Sequence, residues 1–441
     1  MLNRRRLLLL LGTFLLTFCV RFLTLQFMRA NLNEPGWFQI GSYAKFDRQA
    51  RAILDGSQRL FWIDDPARTD LAQYPPAFPV WVAVIYKLSG NQSAYAIQSV
   101  QWIVDLVLSF ILVTGIAWAA FGWRAAVVAS FLFALSPLFA LYGAYPSADA
   151  PTTWFVLAGC WLLILAARRA SVWFALGAGA LLGGACWFRV NPLYLCFAWA
   201  FALLMFTQAS WRRRMTMAAL VLAGAFVVIA PIAVRNYIVF PDFTPTGGTI
   251  GANLWEGLGE TELGRQHGFI LGDNKMVEVE RVKMGLPADA TIDLPDGIRR
   301  DRERTRESLA FIKQHPIWYA GVMLGRMWGM LKVFGDPVPY SGTSGINVTS
   351  AKCLSPARRG GVIAMAVNGL GMIQSVVRYL FLPLAVFGIW MGIRRDWRLS
   401  CILLVTVLYY LVPGTVAHTE IRYVLPMHGL LTVFAGCAVR K

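Results

Sequence analysis

The feature that most constrains this chain is a series of apolar runs with arginine clusters set between them. A helix that crosses a bilayer needs roughly 17–25 predominantly apolar residues. Runs of that kind lie near 7–28, 98–120, 125–142, 151–167, 215–234, 372–393 and 421–439, and shorter ones near 172–187, 191–206 and 399–413 are expected to cross as well. Composition agrees: 57% of the 441 residues are hydrophobic, 15% are charged, and mean hydropathy is +0.53, where a soluble domain carries about a quarter charged residues. The expected fold class is therefore an all-α polytopic membrane protein with about ten transmembrane helices.

The net charge of +17 has two readings, nucleic acid or lipid. Its distribution selects the second. Arg4 to Arg6, Arg124, Arg168 with Arg169, Arg212 to Arg214, Arg394 with Arg395, and Arg440 with Lys441 all sit between apolar runs, which is the positive-inside pattern. Anionic membrane lipid is the expected partner, and no nucleic acid. If every cluster is cytoplasmic, successive clusters are separated by an even number of crossings and both termini are cytoplasmic. The stretch 74–90, "YPPAFPVWVAVIYKLSG", is then one crossing too many. It is expected to lie along the outer surface, where its paired prolines suit the start of a helix; the alternative is a short ordinary span. The stretch 316–334, with Arg326 and Lys332 inside it, raises the same parity problem and is also read as interfacial.

The N-terminal run lacks a small-x-small cleavage site, and Phe18 before Cys19 spoils a lipoprotein site, so it is read as an uncleaved first span. The seven cysteines include no CxxC pair, and the four histidines have no HExxH spacing. The acids are concentrated: six of 24 lie in 29–97 and thirteen in 235–316. Both stretches are expected to be outer loops. Three units follow: a transmembrane module over 1–234 carrying the first outer loop (29–97), a large outer loop over 235–315, and a C-terminal transmembrane part over 316–441.

Asp149 and Glu420 fall at outer membrane edges in this topology. An ionisable group there is a site candidate, because a lipid-facing carboxylate is costly. Asp105 is the main acid within a span, with Gln101 as one available partner. In 41–56, "GSYAKFDRQARAILDG", Tyr43, Phe46, Ala50, Ile53 and Leu54 recur at helical spacing, with Lys45, Arg48 and Arg51 on the other side. That is an amphipathic helix suited to a headgroup layer, and Asp47 borders its apolar stripe. The glycines Gly247, Gly248 and Gly251 could let backbone N–H groups approach a phosphate or sugar. Gly179 and Gly183 form a GxxxG, read as close helix packing.

Taken in order, several segments resemble the bacterial polyprenyl-phosphate-dependent glycosyltransferases of the GT-C fold, in particular the protein O-mannosyltransferase-like and aminoarabinose-transferase-like groups. "QYPPAFPVWVAVIYKLSG" is similar to their Pro-Pro stretch after the first outer loop. "SPLFALYGAYPSADAPTTWFVL" resembles their third span and its Asp-bearing turn, which gives Asp149. "WFRVNPLYL" is similar to their Arg-Pro turn and gives Arg189. "APIAVRNY" and the Gly-rich segment ending in Asn253 resemble the start of their large loop. "HTEIRYVLPMHGLL" resembles their last-span motif, with Glu420, Arg422 and Tyr423.

The resemblance implies two surface helices in the first outer loop, an active site beneath them, and a sugar donor linked to a polyprenyl phosphate. One departure bears on the chemistry. Where such enzymes carry an acid about four positions before the aromatic corresponding to Phe46, this chain has Ser42. Asp47 is the nearest carboxylate, and Glu34 is its rival as base. Transfer needs a carboxylate to take the acceptor's proton and cations to hold the departing phosphate. One direct displacement predicts inversion. The expected assignments are Asp47 or Glu34 as base and Asp149 as a second acid that orients the acceptor or a divalent metal ion. Arg189, Arg235 and Arg422 would hold the donor phosphate, with Glu420 fixing Arg422 and Tyr423 beside it. The expected location is the plasma (inner) membrane with the site on the extracytoplasmic face. A transporter or flippase of a lipid-linked sugar, and a relative that has lost catalysis, are the alternatives.

Overall fold

The computed structural model describes residues 4–31, 42–57, 75–331 and 361–438, apart from 241, 245–246, 248–249, 284, 286, 288–296 and 419. Among the described residues the chain is helical throughout. In order the helices are α1 (Arg4–Asn31), α2 (Ser42–Leu54), α3 (Ala77–Ser89), α4 (Ala94–Phe121), α5 (Trp123–Leu135), α6 (Pro137–Ala144), α7 (Asp149–Arg169), α8 (Val172–Cys186), α9 (Leu195–Phe206) and α10 (Trp211–Val239). The large loop follows with α11 (Ile250–Gly259), α12 (Glu262–Gln266), α13 (Asp273–Lys283) and α14 (Gly297–Gln314). Then come α15 (Pro316–Leu331), α16 (Gly361–Leu411) and α17 (Leu425–Ala438), with 3₁₀ turns at Pro413–Thr415 and Ile421–Val424.

Six described helices are long and apolar enough to cross a membrane, or seven when α5 and α6, bent by 63° where Pro137 opens α6, count as one span. The protein is thus a multi-pass membrane protein. The longest helix contains non-helical backbone at Asp396, where two helices meet at a kink. The apolar helices α3, α8 and α9 are shorter and fall outside that count. Helix α3, with 13 residues, is about 20 Å long at 1.5 Å per residue, short of a hydrocarbon core of about 30 Å. That length suits the surface position expected for 74–90.

The main core joins α4 to α10, α16 and α17. Close approach of α8 and α10 follows from their small residues. A Cβ on Gly179 would lie 2.0 Å from the Val221 carbonyl oxygen, and one on Gly183 2.7 Å from that of Ala225. The GxxxG therefore serves packing, as expected. A second core places the first-loop helices. Phe46 and Ala50 of α2 meet Phe78, Val82, Ile85 and Tyr86 of α3, and the same cluster includes Ala148, with Phe188 packed against it. The Ala77 N–H donates to the Trp187 carbonyl at 2.9 Å. Helices α2 and α3 are thereby seated on the residues immediately before Asp149 and Arg189. Of the stripe expected on α2, Phe46 and Ala50 are buried and Ile53 and Leu54 half-buried, with Arg48 and Arg51 exposed.

Asp105 corrects an expectation. Its partner is Arg21, in the first apolar run, with both side chains almost fully buried. Ser109 Oγ and Trp154 Nε1 each donate to Asp105 Oδ1 at 2.6 Å. Gln101 instead donates to the Tyr145 carbonyl at 2.6 Å.

Candidate functional site

Three turns at one end of the bundle carry the site. Asp149 opens α7, where the helix N-terminus favours a carboxylate. Arg189 lies in the turn between α8 and α9, and Glu420 to Tyr423 precede α17. The structure brings all five of these residues together. Arg189 Nη2 donates to Asp149 Oδ2 at 3.0 Å, and its Nε stands 2.6 Å from Oδ1 as an ion-pair contact. Ser147 Oγ donates to the same Oδ2 at 2.8 Å. Arg422 Nη2 donates to Glu420 Oε1 at 2.6 Å. Both guanidinium carbons lie over the Tyr423 ring, Arg189 at 4.8 Å and Arg422 at 5.3 Å from its centroid. Two fixed cations thus share one aromatic surface, each held by one carboxylate.

Burial would raise the Glu420 pKa, but the contact with His418 and the charges of Arg422 and Arg189 outweigh it and hold the carboxyl below its ordinary value. Glu420 therefore stays ionised at neutral pH. The Arg422 Nε is buried and has no hydrogen-bond partner among the described residues. A buried donor of that kind calls for an acceptor.

Two aromatic residues belong to this neighbourhood and were missing from the sequence-level candidates. Tyr145 feels the charges of Arg422, Asp149, Glu420 and Arg189, while burial pushes its phenol above the ordinary value and keeps it a neutral O–H. Tyr142 stacks edge-on to Tyr145, with centroids 6.2 Å apart. Their signal was available in "YGAYPSAD", two tyrosines within seven residues of Asp149.

The remaining candidates lie elsewhere. Asp47 is half-buried at the α2–α3 contact, where it accepts from the Tyr86 hydroxyl and from Arg51 Nε at 3.0 Å. Arg235 is buried near the end of α10, where it donates to Asn236 Oδ1 at 3.1 Å and lies over Phe240. Glu34 lies outside the described residues, as does Gly248. The N–H groups of Gly251 and Ala252 donate to the Asp301 carboxylate at 3.1 and 2.9 Å, so there the glycine segment binds α14. As for a metal, the described residues bring together no group of three His, Cys, Asp or Glu side chains able to hold an ion. Asp149 is paired with Arg189 and accepts from Ser147 Oγ.

Comparison with known proteins follows this geometry. Residues 73–234 match the family described as dolichyl-phosphate-mannose-protein mannosyltransferase. That segment runs from just before α3 through Asp149 and Arg189 to the end of the α10 apolar run. The archaeal oligosaccharyltransferase AglB from Archaeoglobus fulgidus, solved with an inhibitory peptide and a dolichol-phosphate, superposes over 98% of this chain and 50% of its own, with 14% identity and a TM-score of 0.51. The fold is GT-C. The apo form of the Archaeoglobus fulgidus oligosaccharyltransferase matches over the same shares, with 12% identity and a TM-score of 0.50. ArnT from Cupriavidus metallidurans, bound to undecaprenyl phosphate, is similar over 97% of this chain and 76% of its own, with 12% identity and a TM-score of 0.40. The GT-C chain described here spans about half the length of the oligosaccharyltransferases it matches. No curated protein matches it by sequence at the significance required.

Proposed function

We propose that this protein is a glycosyltransferase that moves a sugar from a polyprenyl-phosphate donor to an acceptor hydroxyl. The observation that carries the reading is the paired placement of Arg189 and Arg422 over Tyr423, with a buried Arg422 Nε that lacks an acceptor. A phosphate suits such a site, because guanidinium groups present several donors and stay charged at any working pH. The family match over 73–234, together with the dolichol-phosphate bound to the superposable oligosaccharyltransferase, supports a lipid-linked donor.

In the proposed reaction the acceptor oxygen attacks the anomeric carbon as its proton passes to a carboxylate. The anomeric C–O bond to phosphate breaks, and polyprenyl phosphate departs with the bonding electrons, held by Arg189 and Arg422. Attack opposite the leaving group inverts the anomeric centre. Asp47 is proposed as the base, with Glu34 as the other candidate, and Asp149 as the acid that orients the acceptor. No step is assigned to a metal ion. Arg235, near the end of α10, is proposed as a third cation for the donor phosphate. The proposed setting is the outer face of the plasma (inner) membrane, with both termini cytoplasmic.

The test is release of free polyprenyl phosphate by the purified protein, offered a panel of polyprenyl-phosphate sugars. Release that disappears in Asp47→Asn establishes the class and the base. Release that persists in that variant moves the base to Glu34 or Asp149. No release from any donor removes the reading.

A further inference from the structure

A second set of buried charges lies beside the donor arginines and joins three separated segments. His418 stands between the two 3₁₀ turns. Its N–H donates to the Asn253 carbonyl of α11 at 2.8 Å. Its ring Nδ1 lies 2.7 Å from Glu260 Oε1, and its Nε2 lies 3.9 Å from Glu256 and 3.7 Å from Glu420 Oε1. From α15, the fully buried Arg326 reaches the same place. It donates to the Gly257 carbonyl, to Glu260 Oε2 at 3.2 Å and to the Thr415 carbonyl at 3.0 Å. Tyr319, one side of α15 nearer the loop, donates its hydroxyl to the Val416 carbonyl. The approach is close: a Cβ on Gly257 would lie 2.6 Å from the His418 nitrogen and 2.8 Å from Arg326 Nη2.

The groups facing His418 are Glu256 and Glu260 from the loop, Arg326 and Tyr319 from α15, and Glu420 with Arg422 on its own segment. With the imidazole protonated, three cations stand among three carboxylates. Without that proton the carboxylates outnumber the cations, in a site where all these groups are at least largely buried. Burial disfavours the imidazolium, but the hydrogen bond to Glu260, the contact with Glu420 and the charge of Glu256 outweigh it and push the pKa up to about 10. The ring is therefore a cation at neutral pH. It shares Glu420 with Arg422, so its position bears on how that carboxylate holds the guanidinium.

We infer that His418 is a positioning residue for Arg422: its ring fastens the 250–260 segment of the large loop to Glu420, and so sets the carboxylate that orients the phosphate-binding guanidinium. The inference rests on the phosphate-binding role proposed above for Arg422. It assigns the large loop a task, that of completing the donor site from outside, which the sequence motifs do not reveal.

The test is a double-mutant cycle on the full-length protein in detergent, with a short-chain polyprenyl phosphate as the probe. His418→Gln should weaken binding roughly tenfold in the wild-type background and add nothing in an Arg422→Ala background, because residues acting through one another are not additive. Hydrogen exchange across 250–260 and 420–424 should quicken in His418→Gln. Equal losses in both backgrounds would show a general effect on folding and overturn the inference, as would unchanged affinity and exchange. Should His418→Gln not fold, Glu260→Gln should give a smaller loss with the same non-additive pattern, and an additive loss overturns the inference. Arg422→Ala binding as well as wild type is a different result. It removes the donor reading, and exchange then decides the fastening alone: quicker exchange upholds it and unchanged exchange overturns it.

Discussion

Two arginine–carboxylate pairs in this molecule use the same chemistry for opposite ends. Arg21 and Asp105 are 1% and 3% exposed at the side chain, whereas Arg422 and Glu420 are 18% and 29% exposed. Asp105 takes donors from Arg21, Ser109 and Trp154, and the Arg21 guanidinium also lies over Phe133, 4.7 Å from its centroid. That pair joins α1, α4 and α7 inside the bundle and is closed to any ligand. Arg422 gives Glu420 one of its nitrogens and sits at the rim, beside a second arginine. A sealed ion pair fixes helices, and a partly open one beside a second arginine is fit to hold an anion. The lesson is that an ionisable residue within an apolar run marks function only after its partners are counted.

The largest expected effect tests the sealed pair. Asp105→Leu strands the Arg21 charge among apolar residues and should cost about 3–5 kcal/mol, read as a large fall in the thermal unfolding midpoint in detergent. Arg21→Met with Asp105→Leu should recover most of it, since removing both charges also removes their desolvation cost. Polyprenyl phosphate affinity per folded molecule should be unchanged in the double variant. A loss of affinity there would show that the two pairs are not separate in role. Asp149→Asn should fall between the extremes. Its carboxylate is buried and holds Arg189, so both stability and phosphate affinity should drop.

Arg422→Ala is expected to reverse the pattern. Lost hydrogen bonds to a charged phosphate should weaken binding by about 1.5–3 kcal/mol, while stability falls by less than in Asp105→Leu, because His418 still faces Glu420. Titration of polyprenyl phosphate beside a melting curve separates the two. A melting midpoint lowered as far as in Asp105→Leu would place Arg422 among the structural charges.

Much of this arrangement could be read from the residues. Periodicity gave the spans because lipid forces apolar runs to be helices, and the α2 stripe was legible for the same reason. Asp149, Arg189 and the Glu420–Tyr423 motif were found through resemblance in order along the chain, and folding brings them to one place. The partner of Asp105 was not found, although Arg21 was visible as a lone charge within the run 7–28. Pairing depends on which helices neighbour one another, and hydropathy does not carry that. The glycine segment escaped for a related reason: Asp301, which accepts from the Gly251 and Ala252 N–H groups, lies 50 residues away in α14. His418 escaped notice because its partners Glu256 and Glu260 sit in a loop more than 150 residues earlier.

A pH dependence should belong to the rim and not to the sealed pair. The His418 pKa is raised from 6.5 to about 10 in the folded protein. A raised pKa means the folded state binds the proton more tightly, so the stabilisation is complete below pH 6.5 and fades as the pH climbs through about 10. The unfolding midpoint of the wild type relative to His418→Gln should therefore be greatest at the acid end of that window and shrink towards its alkaline end. The Arg21→Met and Asp105→Leu double variant keeps His418 and should show the wild-type slope over the same range. A difference between wild type and His418→Gln that stays constant with pH would mean that the ring carries no proton there. The three carboxylates around it would then need another cation to hold the loop against Glu420.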